Sequence, residues 1–148
     1  MIQKDQHSAR RRDSQGWRRN ENDIANEKRV ADYLSQKWGV KFHGFAKGSP
    51  VDYWVERRGV VSGIAELKTS FKKTNFAFLS MRKFIAIESI SRAFGCAGLY
   101  LHLQPDGKIY WGKIGDLRGT TEIVGQAGRF KNSREPILKI PLKNLTAA

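Results

Sequence analysis

Asp52, Glu66 and Lys68 carry the strongest chemical signal in this chain. The run Asp52-Tyr53-Trp54-Val55 is rich in strand formers, Arg57-Arg58-Gly59 punctuates it, and Val60 to Thr69 is extended again. This pattern predicts two strands joined by a turn. Side chains alternate along a strand with period two, so Ile64, Glu66 and Lys68 share one face of the second strand. Asp52, at the start of the first strand, lies across the pair and adds a second carboxylate. Two carboxylates and an ammonium at one sheet edge suit a Mg²⁺ ion and a phosphodiester. The cation takes hard oxygen ligands, and a nearby lysine stabilises phosphate charge or orients the attacking water.

Composition narrows the partner. A length of 148 residues suits one domain with a real core, and the formal charge of +13 is extreme for that size. A polyanion is the simplest counterpart, nucleic acid first. No apolar run is long enough to span a membrane, and the first twenty residues lack the apolar segment of a signal peptide. A single cysteine, Cys96, excludes an intramolecular disulfide and a cysteine-based zinc cluster. A reducing, cytoplasmic location is therefore expected, the host's cytoplasm if the chain is phage-encoded.

The elements around the acidic strands follow from periodicity and punctuation. Residues 1–19 lack periodic apolar positions and predict a flexible basic arm, either a solvated tail or a segment in which Arg10, Arg11 and Arg12 meet a nucleic-acid backbone. Residues 20–148 form the domain. Its first helix is expected from about Asn22 to Trp38, with Ile24, Ala31, Leu34 and Trp38 as the apolar stripe and Val30 beside it. Glu27 falls inside that stripe, where an unpaired carboxylate is costly, so it pairs with a cation or edges a metal site.

A short strand over Val40 to Phe45 and a loop through Lys47, Ser49 and Pro50 deliver Asp52, and a basic loop from Phe71 to Asn75 follows the second acidic strand. The second helix is expected from about Ser80 to Phe94, with Phe84, Ile87, Ile90 and Phe94 buried and Gly95 as its stop. Residues 98–103 and 108–112 form a hairpin across Pro105-Asp106-Gly107. The glycine-rich stretch from Gly115 to Pro136 reads mostly as loop, and Ile137 to Leu142 as a last edge strand because Pro141 cannot donate to a ladder.

This order of elements, with Pro50-Val51-Asp52 and Glu66-Leu67-Lys68 on successive strands and Glu27 on the first helix, resembles the PD-(D/E)XK nuclease superfamily. Within it the chain looks most like archaeal-type Holliday junction resolvases, and next like the compact VRR-NUC phage nucleases. One residue is inserted between Pro50 and Asp52. Lys83 stands near the place where VRR-NUC proteins often carry glutamine, which favours the resolvase-like branch or a divergent one.

The resemblance implies an α/β, single-domain, restriction-endonuclease-like fold with a central mixed β-sheet flanked by helices. It implies that Asp52 and Glu66 bind Mg²⁺, or Mn²⁺ in its place, with the Leu67 carbonyl as a third ligand. Glu27 would hold a second ion or a metal-bound water, and Lys68 would sit against the scissile phosphate. Ser49 matches a serine that resolvases place near that phosphate, while an ordinary turn role fits it equally. Lys47, Lys72, Lys73, Arg82 and Lys83 would track DNA phosphates, giving salt-dependent binding.

Three activities compete: cleavage of branched DNA by a homodimer, a flap, nicking or restriction-type cut on branched or duplex DNA, and binding of DNA or RNA without cleavage. Convergence of Glu27, Asp52, Glu66 and Lys68 on one cation separates the enzymes from the binding module.

Overall fold

The computed structural model describes residues 21–125 and 134–148. The basic arm expected over residues 1–19, with Arg10, Arg11 and Arg12, lies outside them. In chain order the elements are α1 (Glu21–Trp38), β1 (Lys41–Gly44), β2 (Tyr53–Arg57), β3 (Val60–Thr69), β4 (Phe76–Ser80), α2 (Met81–Phe94), β5 (Ala97–Leu103), β6 (Ile109–Lys113), β7 (Thr120–Gly125), β8 (Arg134–Pro141) and β9 (Thr146–Ala147). Single 3-10 turns cover Ile114–Asp116 and Leu142–Asn144.

Among the described residues, six strands form the main sheet in the order β1-β2-β3-β5-β6-β9, and β4-β8-β7 form a second, three-stranded sheet. The β3–β5 pair is parallel and the other pairs of the main sheet are antiparallel, so the sheet is mixed, as expected. β2 and β3 meet at a two-residue turn in which Arg58 and Gly59 both have positive φ, the arrangement that matches the twist of a tight hairpin.

Strand alternation sorts the main sheet into two buried faces. Ala65 and Leu67 of β3, with Leu101 and Leu103 of β5, pack against Val30 and Leu34 of α1. Ile64 and Tyr100 face the other way, into a cluster with Ile87 of α2, Ala77 and Leu79 of β4 and Ile140 of β8. Glu66, between Ala65 and Leu67, belongs to this second face by period two.

Several expected details change. Ile24 is 52% exposed, and the buried residues of α1 are Glu27, Val30 and Leu34 instead. Phe94 is 55% exposed, since α2 turns its last residue away while Ile87 and Ser91 seat it. The stretch from Gly115 to Pro136 contains strand β7 and the start of β8, and is loop only in part. Residues 137–141 belong to β8, which lies in the middle of the second sheet, not at an edge. Its prolines are tolerated there by position. Pro141 is the last rung of the pairing with β4, and Pro136 lies beyond the rung at which that pairing begins.

Candidate active site

The acidic pair is built where β2 and β3 part. Their ladder runs from Arg57↔Val60 to Tyr53↔Ala65, so Glu66 to Thr69 extend past the last β2 rung while β5 still pairs with them on the other side. The Leu67 amide donates to Oδ2 of Asp52 at 3.1 Å, and this side chain takes the place of the next ladder bond. Within a strand the N–H and C=O of one residue point to the same side, so the Leu67 carbonyl also faces the gap. Asp52 is carried by a loop that the chain ties at both ends. The Phe45 amide donates to the Asp52 carbonyl at 3.1 Å, and the Ser49 amide to the Ala46 carbonyl at 3.0 Å.

Glu66 is the unusual group. Its side chain is only 12% exposed, and Oε1 is buried without a hydrogen-bond partner. Burial, then the neighbouring Asp52 carboxylate, push its pKa up to about 8. Lys83 opposes both: its ammonium stands 3.6 Å from Oε1, an ion-pair distance too long for a hydrogen bond, and donates to the Pro50 carbonyl at 2.9 Å. Lys83, from the first turn of α2, thus stands against the acidic edge. Ser80 caps that helix through its Oγ, which accepts from the Arg82 amide at 3.2 Å and so fixes where the turn bearing Lys83 begins.

Lys68 lies two residues beyond Glu66 on the same face, exposed and without an ion pair among the described residues. Its ammonium is available to an incoming phosphate. Beside it in register on β5 is His102, buried, with a pKa lowered mainly by burial.

Glu27 is buried at 7% exposure and accepts a 2.7 Å hydrogen bond from the Tyr53 hydroxyl. Tyr53 packs on the α1 face, whereas Asp52, which precedes β2, meets Glu66 and the Leu67 amide. Among the described residues no three His, Cys, Asp or Glu side chains are gathered as a ready-made metal cage. Asp52 and Glu66 come together, and among the described residues no third carboxylate joins them as expected of Glu27, which accepts from the Tyr53 hydroxyl. Ser49 is used locally, its Oγ accepting from the Val51 amide at 3.3 Å. Lys47, Lys72 and Lys73 are exposed, and Arg82 is exposed with an ion pair to Glu135 at 3.6 Å. Sequence reasoning missed Tyr53 as the partner of Glu27, and its adjacency to Asp52 was the available signal.

A sequence model of the family described as "Phage putative PDDEXK endonuclease" matches residues 17–148. The chain belongs to this family of PD-(D/E)XK nucleases. No curated protein matches it in sequence. Among solved structures it is similar to Archaeoglobus fulgidus Hjc, a Holliday junction resolvase from an archaeal hyperthermophile, with a TM-score of 0.59 and 17% identity over 82% of this chain and 84% of that one. At that identity the likeness establishes the restriction-endonuclease-like fold. No described helix is long and apolar enough to cross a membrane.

The residues of this PD-(D/E)XK edge fit a divalent cation. A buried carboxylate oxygen that accepts no hydrogen bond, beside a second carboxylate and only 3.6 Å from one ammonium, is costly until a further cation or a proton neutralises it.

Proposed function

We propose that the chain is a divalent-cation-dependent, structure-selective DNA endonuclease that cuts branched DNA in the manner of a Holliday junction resolvase, acting as a homodimer. The observation that carries this reading is the pair Asp52 and Glu66, held together at the parted end of β2 and β3 with Glu66 driven to a pKa of about 8. A structural ion pair has no reason to keep two carboxylates in contact, whereas a cation site does. The family and the fold neighbour support the same chemistry.

Asp52, Glu66 and the Leu67 carbonyl would hold the cation, Mg²⁺ first and Mn²⁺ as substitute. When bound it would activate water and neutralise charge on the phosphate. Lys83 lowers the cost of ionising Glu66 before the cation arrives. Lys68 would face the phosphate and stabilise the charge that grows on it as the bond to water forms. Glu27, through Tyr53, ties α1 to the start of β2 and so positions Asp52. Lys47, Lys72, Lys73 and Arg82 would add salt-dependent affinity for the DNA backbone. Two-fold assembly would place two sites for paired incisions.

The test is cleavage of a labelled panel comprising a four-way junction, a 5′ flap, linear duplex and single strand, with Mg²⁺, Mn²⁺ or EDTA. Metal-dependent cutting of the junction, with losses of about 10²–10³ in Lys68→Ala, is expected. Salt-sensitive binding with no cutting under any metal would sink the nuclease assignment. Cutting of flap or duplex in preference to the junction would keep the nuclease and refute the resolvase-like selectivity.

A further inference from the structure

Phe71 is 77% exposed, the most exposed large apolar side chain among the described residues. A lone apolar residue at a surface is ordinary. Three features set this one apart. It stands three residues beyond Lys68, on the loop that leaves the open end of β3, so no more than about 10 Å of extended chain separates it from the residue facing the phosphate. The next two residues are Lys72 and Lys73, both exposed.

The loop is also pinned at both ends. The Ser70 amide donates to the Leu103 carbonyl at 2.9 Å, the Ser70 hydroxyl donates to the Lys72 carbonyl, Gln104 Nε2 donates to the Thr74 carbonyl at 2.6 Å, and the Leu142 amide donates to the Asn75 carbonyl at 2.9 Å. These bonds hold a loop that leaves most of its own aromatic in solvent. The ring is presented, and the ordering cost of presenting it has already been met in folding.

A flat apolar face flanked by cations matches a nucleobase attached to a phosphate backbone, since every base offers a π-face and the lysines meet the adjoining phosphates. Bases in continuous duplex are stacked on each other and offer no face. A base at a branch, flap or strand end does.

We infer that Phe71 is a stacking platform for an unstacked nucleobase next to the scissile phosphate, and that it lends the protein preference for branched over continuous DNA. This rests on reading the Asp52–Glu66–Lys68 edge as the place where the phosphodiester lies. Phe71 is then a specificity-determining residue, and Lys72 and Lys73 contribute to all DNA alike.

The experiment measures binding of the full chain carrying Lys68→Ala, in EDTA so that residual metal-dependent cutting is blocked, to a four-way junction with 2-aminopurine at the branch point and to a linear duplex with 2-aminopurine at its centre. Adding Phe71→Ala should weaken junction binding about tenfold, equivalent to about 1.4 kcal/mol of stacking, and duplex binding by less than about twofold. Phe71→Trp should keep the affinity, and Phe71→Leu, apolar but without a π-face, should behave as alanine does. Branch-point 2-aminopurine fluorescence should respond to the protein only when position 71 is aromatic. Equal losses on both DNAs, full affinity in Phe71→Leu, or an unresponsive probe would overturn the inference. So would a fall in sedimentation coefficient to that of a monomer, since a second copy of the chain would then be the occupant. Binding is read without cleavage, so a stacking signal in a protein that never cuts leaves this inference standing and removes the nuclease reading alone.

Discussion

Replacing Glu66 by glutamine removes one ionisation with almost no change of shape, and its consequence for stability has a defined sign. In the folded, metal-free protein the Glu66 carboxyl titrates at about 8, against 4.5 for an exposed glutamate. The folded state therefore holds a proton that the unfolded chain has already lost between those values, and stability falls as pH rises through this window. The stabilisation is fully present below pH 4.5 and is gone above about 8. From pH 5.5 to pH 9 the loss attributable to this one group is about 3 kcal/mol.

Urea denaturation in EDTA at pH 5.5, 7 and 9 measures it as a difference. Glu66→Gln should gain about 3 kcal/mol on the wild type across that range, other groups titrating alike in both. A divalent cation can replace the proton. At about 100 times its Kd it should return about 2.7 kcal/mol to the wild type at high pH and little or nothing to Glu66→Gln. Parallel stability profiles for the two proteins, or equal rescue by Mg²⁺, would refute the claim that burial and Asp52 hold this carboxyl protonated in a cation site.

Three further outcomes follow from the same geometry. Lys83→Met removes the cation that opposes burial of Glu66, so the Glu66 pKa rises further and the metal-free fold loses about 1–2 kcal/mol at pH 8, read by denaturation. Tyr53→Phe leaves the buried Glu27 carboxylate without its 2.7 Å donor and should cost about 1–3 kcal/mol, while Glu27→Gln with Tyr53 intact should cost less. Gly98→Ala adds a Cβ that would stand 2.9 Å from Ile87 Cγ2 and 3.0 Å from Ile114 Cγ1, where α2 crosses β5. Overpacking there should cost about 1–3 kcal/mol and appear as a lowered Tm.

Elements governed by local rules were legible in the amino-acid order. Helix α1, the two-residue turn at Arg58-Gly59, the hairpin of β5 and β6 and the Ser80-capped, Gly95-terminated α2 all follow from periodicity, caps and turn residues acting within a few positions. β4 escaped because Phe76 and Phe78 alternate with Ala77 and Leu79. An apolar residue stands on both faces, which erases the polar half of the pattern. β7 was hidden by the glycines around it, and at Gly119 the glycine serves packing: a Cβ there would stand 2.0 Å from the Lys139 carbonyl oxygen.

The same division applies to the site. Glu66 and Lys68 share a face because strands repeat every two residues, and Asp52 lies across from them because a hairpin returns the chain, so local geometry alone selects these three. That Glu66 is buried, that Lys83 reaches it from α2 thirty-three residues after Pro50, whose carbonyl it also holds, and that Glu27 turns to Tyr53 are relations between distant segments. Amino-acid order determined which groups could do chemistry and on which strand face they stand. Their charge state and their partners depend on desolvation and on approach through space, and only the packed tertiary structure decides those.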